Sequence, residues 1–235
     1  MAVNFKRSTS DYLEIAQAVL TGPPLTMSAW VNSKDADNGQ GVIMMSDSTN
    51  STTNTMRLEL VGSAAGDPLF ARVSNSIPHN LAKTTTGYTV GKWHHVAGRF
   101  VASDDIWAYI DGGSEDQGTL EKTAENLNHT AIGMIHTNNR HVFFDGDIAE
   151  VAIWNVALTV AEVSMLASGM SPQTIQLDNL AAYWPLIHDY RDYAGTFDLT
   201  AGGFPTFSQH PPGISYPPER ERLSSKQLDR RSRVM

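Results

Sequence analysis

The densest run of acid chemistry in this 235-residue sequence is Asp145-Gly-Asp147-Ile-Ala-Glu150. Paired carboxylates can divide acid and nucleophile roles, and cleaving a glycosidic bond with retention needs two of them about 5–5.5 Å apart. The run works against that geometry. Asp145-Gly146 has the composition of a turn, where a carboxylate is poorly fixed. A regular strand sends Asp147 and Glu150 to opposite faces unless a bulge intervenes. The expectation is a turn that enters a strand, with no catalytic residue. Asp11, Asp189 and Asp192 form a second acidic set, which could meet where the first and last strands approach. A hard cation such as Ca²⁺ takes six to eight oxygens, and Asp104-Asp105 and Asp145/Asp147 are alternative clusters for one. The same aspartates also serve as turn and cap residues, and no cofactor is required by the sequence.

The eight histidines give weaker signals. His94 and His95 are adjacent on an expected strand and point to opposite faces, so they cannot ligate one ion from one side. His136 and His141 flank Thr-Asn-Asn-Arg, a plausible hairpin end. No His-Glu-x-x-His zinc helix, Gly-x-Ser-x-Gly elbow or phosphate-cradling glycine loop is present. The histidines therefore read as surface or hydrogen-bonded strand residues. With no cysteine, disulfides, thiolate metal sites and a thiol nucleophile are excluded.

The elements that must carry these residues read as strands. Short apolar or alternating runs recur at Tyr12–Ala16, Leu25–Val31, Val42–Ser46, Met56–Val61, Leu69–Val73, Trp93–Val101, Ile106–Ile110, Ala131–Ile135, Val142–Phe144, Ile148–Trp154 and Leu180–Leu186. Turn residues separate them, as in Gly66-Asp-Pro and Asp111-Gly-Gly. The spacing favours an antiparallel sandwich over βαβ units. Both alternating phases are apolar in Met27-Ser-Ala-Trp-Val31, so some strands are expected to be covered on both faces. One short helix, about 160–168, is signalled by the capping box Thr159-Val-Ala-Glu162, by Leu158 and Val163 as a hydrophobic staple, and by Gly169 as terminator. Val163 and Leu166 should face the sheet.

Net charge is −8, unevenly placed: residues 215–235 carry +3 and the rest −11. An acidic body repels phosphate, so nucleic-acid binding by the body is not expected. A Pro-rich hinge, residues 209–218, divides a body (1–208) from a basic arm (209–235) that should be extended. No apolar run approaches the ~20 residues of a membrane span. Met1 to Arg7 has two positive charges but no apolar stretch behind them, so no Sec signal peptide is expected.

Four segments in order resemble a laminin G-like domain of the concanavalin A-like lectin/glucanase superfamily. They are Ser10–Ile15 with Leu25–Val31 as an opening strand pair, Gly91-Lys-Trp-His-His-Val-Ala97 with Trp107-Ala-Tyr-Ile-Asp-Gly112 as a central hairpin, Phe144–Leu158 as the closing strand and helix entry, and Leu180–Leu186 with Gly195 as a strand returning to the N-terminal edge. The resemblance implies an all-β fold: an antiparallel two-sheet jelly-roll sandwich with one short helix and an extended C-terminal arm. Superfamily glucanases carry Glu-x-Asp-x-x-Glu, and Asp145 stands where the first glutamate would be. Lectin-type members bind sugars, which need aromatic and planar polar partners; Tyr88, Trp107, Tyr109, His136, Asn138 and Asn139 are the candidates here. Gly169-Met-Ser-Pro172, Leu180–Leu186 and His210–Pro217 look like segments of laminin G-like proteins of tailed phages and prophages. The leading expectation is a non-catalytic structural or adhesion module, a phage virion surface or capsid decoration protein that is located in the virion after assembly in the host cytoplasm. Its partners would be other virion or capsid subunits and further copies of itself. Anchoring would run through Tyr216, Arg220, Arg222, Leu223, Leu228, Arg230, Arg231 and Arg233. The alternative is a carbohydrate-binding module that attaches to host surface glycans, and a β-glucanase-type hydrolase ranks third.

Overall fold

The computed structural model describes residues 1–49 and 54–216. In chain order its strands are β1 (Ala2–Phe5), β2 (Tyr12–Ile15), β3 (Leu25–Ser33), β4 (Gly39–Ser46), β5 (Thr55–Val61), β6 (Pro68–Ser74), β7 (Asn80–Gly87), β8 (His94–Ala102), β9 (Asp105–Ile110), β10 (Gly113–Gly118), β11 (His129–Ile132), β12 (Ile135–His136), β13 (Arg140–His141) and β14 (Gly146–Trp154). The helix α1 (Val160–Ala167) follows, then β15 (Leu180–Trp184), β16 (Thr200–Gly202) and β17 (Thr206–Ser208). Two antiparallel sheets form a sandwich. One runs β10-β9-β8-β3-β14-β1-β17, with β15 also on β14; the other runs β16-β2-β11-β4-β5-β6-β7. Their inner faces meet through Val3, Phe5, Leu13, Met27, Ile43, Leu58, Val96, Phe100, Ile148 and Trp184, all buried. Among the described residues no helix is long and apolar enough to cross a membrane.

The first sheet is covered on its outer face as well, as the doubly apolar phases require. Every residue of β14 is buried. Helix α1 lies over this face, with Val163 and Leu166 packed among Ala97, Tyr109, Ala152, Trp154 and Tyr183. The helix begins where its capping box predicts: the Thr159 side chain accepts from the Glu162 amide, and Glu162 reaches back to the Thr159 amide. It ends at Ala167, one residue early, and Gly169 follows at φ +97.

Two expectations are corrected. Tyr12–Ile15 and Leu25–Ser33 are consecutive strands but lie in opposite sheets, so they are no pair. Leu180–Trp184 does not return to the N-terminal edge; it pairs with β14 through Val151↔Trp184 to Trp154↔Leu180. The returns are the three-residue strands β17 on β1 and β16 on β2, too short and too polar to register as apolar runs. The central hairpin stands as expected, β8 and β9 pairing from Val96↔Ile110 to Ala102↔Asp105.

Candidate functional site

The acid run is bulged. Along β3, Ala149 pairs with Trp30 and the next aligned pair is Ala152↔Ser28, so Glu150 and Val151 together oppose Ala29. Glu150 takes φ +53, a left-handed conformation that costs about 1–2 kcal/mol in a residue with a side chain. The extra residue turns Glu150 to the same outer face as Asp147, while Ile148 and Val151 keep facing the core. The second edge of β14 also changes partner here, from β1 (Val3↔Ile148) to β15 (Val151↔Trp184).

Neither carboxylate opens onto a groove. Asp147 Oδ1 accepts from Asn4 Nδ2 and from Ser208 Oγ, both at 2.7 Å. Glu150 is 2% exposed. Its Oε2 accepts from Tyr183 Oη at 2.6 Å, and its Oε1 accepts from Tyr216 Oη at 2.6 Å and from His210 Nε2 at 3.0 Å. Burial first, and then the Glu150 charge, push the Tyr183 phenol well above its ordinary range, so it stays a donor. Residues 209–216 thereby fold back onto the outer face of the first sheet. Backbone bonds hold them there: Ser215 N–H donates to Gly169 O at 2.8 Å, and Ser171 N–H donates to Ser215 O at 3.1 Å.

Beside this network lies a pocket of about 170 Å³ lined by Gln173, Tyr183, Pro185, Ile187, His188, Tyr193 and Tyr216. Tyr183 and Tyr216 have their hydroxyls fixed on Glu150; Tyr183 is buried beneath the pocket and the half-buried Tyr216 borders it. Tyr193 is 38% exposed, and Gln173 and His188 supply amide and imidazole groups. An aromatic wall with a few planar polar groups is the composition that stacks on the C–H face of a sugar ring and hydrogen-bonds its edge. Its residues come from three stretches of chain, and only Tyr216 among them figured in the sequence reading, as an anchor.

The expected sugar contacts lie elsewhere and are not gathered. Tyr88 is buried and donates to Asp35 O at 2.7 Å, and burial, with Asp67, pushes its phenol up to about 12. Tyr109 is fully buried under α1 and accepts from Arg99 Nη1 at 2.8 Å. Trp107 is half-buried, its Nε1 donating to Asp105 Oδ1 at 2.7 Å. Asn138 and Asn139 are exposed at the tip joining β12 to β13, whereas His136 is buried. Asp11, Asp189 and Asp192 are not gathered; among the described residues the cluster of possible metal ligands is Glu14, His129 and His136. Asp11 accepts from the Lys6 and Phe204 amides, Asp192 from those of Tyr183, Ala194 and Phe197, and Asp189 from that of Arg191. They tie loops together, the competing use of such residues. Of the anchoring residues Tyr216 is placed, and Arg220, Arg222, Leu223, Leu228, Arg230, Arg231 and Arg233 lie outside the described residues.

The histidines separate as their strands dictate. His94 Nδ1 meets Asp111 Oδ2 at 2.7 Å and its Nε2 accepts from the Thr89 amide, so the Nδ1 carries the proton and donates. His95 lies on the outer face of the first sheet, buried against Trp30, and burial lowers its pKa to about 4. On the outer face of the second sheet the β12–β13 hairpin brings His136 beside His129 and Glu14, a meeting that no local spacing announces. Gly41 permits the close approach, since a side chain there would collide with the Met134 carbonyl, and its N–H donates to Val142 O at 2.9 Å.

Comparison with known proteins bears on the whole architecture. Residues 7–164 match the Laminin_G_3 family model, described as concanavalin A-like lectin/glucanases superfamily. Comparison with curated proteins gives no match. Among solved structures, a candidate carbohydrate binding protein from Bacteroides ovatus is 18% identical with a TM-score of 0.63, over 91% of this chain and 61% of its own. A heptameric SAP-like pentraxin from Limulus polyphemus is 16% identical with a TM-score of 0.57, over 73% of this chain and 83% of its own. The enzymatically active domain of tailspike protein 2 from bacteriophage CBA120 is 14% identical with a TM-score of 0.57, over 78% of this chain and 29% of its own. At these identities the likeness is one of fold.

Proposed function

The chain belongs to the concanavalin A-like lectin/glucanases superfamily, and from that premise we propose that it is a non-catalytic carbohydrate-recognition module. The observation that carries this reading is the use made of Glu150. A retaining hydrolase needs an accessible carboxylate pair beside the bond to be cut. Here Glu150 is saturated by three donors from its own chain and holds two tyrosines in place. A volume of about 170 Å³ suits one monosaccharide unit, and the Tyr193 and Tyr216 rings offer it a stacking surface. The carbohydrate-binding role named for the Bacteroides ovatus protein of like fold agrees with this reading. Tyr193 is not among the three donors to Glu150. Tyr193→Ala should weaken binding of the glycan selected on an array by at least about tenfold, as loss of a stacking ring does. A hit whose affinity is unchanged in Tyr193→Ala would move the site elsewhere, and turnover of a β-glucan that Glu150→Gln abolishes would replace recognition with catalysis.

A second reading concerns where the module works, and one observation favours it. Residues 209–216 are fastened to the body, so the basic stretch after them leaves from a fixed point, beside Tyr216. We propose that this stretch attaches the module to a larger assembly, a virion surface in particular, through contacts of its arginines with an acidic partner. A chain ending at Tyr216 should fold and keep its glycan affinity yet fail to join particles. Normal incorporation of that truncated chain would refute the anchoring role.

A further inference from the structure

We propose that Glu14, His129 and His136 form a site for a divalent transition metal, Zn²⁺ being the fitting probe, on the outer face of the second sheet. Their ligand atoms all lie within 4.8 Å of one another. His129 Nε2 is 3.1 Å and His136 Nδ1 is 3.6 Å from the same oxygen, Glu14 Oε2. Zinc bonds of about 2.0–2.2 Å to nitrogen and oxygen give tetrahedral edges of roughly 3.3–3.5 Å. The two observed edges bracket that value, so an ion needs shifts of only a few tenths of an ångström along them.

An independent observation points into the site. His136 is 8% exposed, and its Nδ1 is buried with no hydrogen-bond partner. A dry, unpaired imidazole nitrogen is rare in folded proteins and calls for an explanation. Facing a carboxylate and a second imidazole, it has the position of a ligand.

The scaffold is firm. Glu14 and His129 sit on the adjacent strands β2 and β11, paired through Ala131↔Glu14. His136 arrives on β12, opposite Arg140 on β13. Arg140 donates to Glu14 Oε1 at 2.6 Å and to Oε2 at 3.1 Å. The first of these bonds orients the carboxylate as an outer partner of a ligand would. The second must yield to an ion, and the Arg140 side chain, 42% exposed, has solvent to turn into. Three protein ligands leave the fourth tetrahedral position open. The two imidazoles favour Zn²⁺ and its neighbours over Ca²⁺ or Mg²⁺.

The test is calorimetric titration of ZnCl₂ into the chelator-treated full chain, with a Co²⁺ ligand-field spectrum as a second signal. The expected result is one equivalent bound, a rise in melting temperature, and no response to Ca²⁺ or Mg²⁺. Glu14→Gln and His136→Gln, chosen to keep side-chain bulk and checked for folding by circular dichroism, should weaken binding at least about 100-fold. His94→Ala, on the other sheet, should leave it unchanged. The proposal is overturned if no stoichiometric Zn²⁺ binding occurs, if both folded glutamine variants keep wild-type affinity, or if His94→Ala removes it.

Discussion

Glu150→Gln separates a scaffold carboxylate from a catalytic one, because the two roles give stability changes of opposite sign. An active-site carboxylate is often a local strain, and its removal leaves stability unchanged or raised. Glu150 instead accepts from Tyr183 and Tyr216 at 2.6 Å each and from His210 at 3.0 Å. Hydrogen bonds to a charged acceptor are worth about 1.5–3 kcal/mol and neutral ones about 0.5–1.5. The amide of glutamine keeps one acceptor oxygen and puts an N–H where the other stood, so at least one donor loses its partner. Tyr183 is 1% exposed and cannot turn to water, whereas His210 and Tyr216 are half-buried and can. The expected loss is therefore about 2–3 kcal/mol in urea unfolding at pH 7. In a domain of this size that is a fall of about 5–10 °C in melting temperature. Amide exchange should quicken at Ser215 and Ser171, whose N–H groups hold the returning segment. A variant as stable as wild type, with these amides still protected, would refute the scaffold assignment and reopen the hydrolytic one.

Three further substitutions read other parts of the argument. His95 has its pKa depressed by burial to about 4, so the unfolded chain takes up its proton first as pH falls. The stability tied to its neutral form is complete above about pH 6.5 and drains away toward pH 4. Between pH 7 and pH 5 wild type should lose about 2 kcal/mol that His95→Phe retains, and parallel stability–pH curves would refute this. Thr159→Ala removes the cap from α1 and should cost about 1 kcal/mol, or about 2–4 °C, by thermal unfolding. Gly41→Ala drives a methyl group into the Met134 carbonyl. It should cost about 1–3 kcal/mol by urea unfolding and weaken Zn²⁺ uptake by displacing the hairpin that carries His136.

What the sequence makes legible is local. Thr159 to Glu162 specifies the start of α1 because the capping box closes within four residues, and the β8–β9 hairpin is readable because its two apolar runs flank one short turn. Strands β16 and β17 escape notice since each has three residues and draws its stability from an edge formed by the chain's first strands. The bulge at Glu150 is foreseeable only as a condition, that Asp147 and Glu150 share a face if one occurs. Nothing in Ala149-Glu150-Val151 signals a left-handed residue; the change of neighbour from β1 to β15 does, and that is tertiary.

Strand burial also decides which aromatic rings a ligand can reach. A tyrosine on a strand covered on both faces is buried whatever its chemistry, as Tyr109 is. Solvent access in this fold is found where chain segments cross the outer faces. The pocket forms where residues 209–216 meet Gln173 and Tyr193, and the histidine trio forms where a hairpin folds onto β2 and β11. Glu14 and His129 are 115 positions apart, brought within 3.1 Å by strand pairing. A search confined to short spacings cannot find them. One that first pairs the strands, and then asks which titratable side chains share an outer face, brings Glu14 and His129 together.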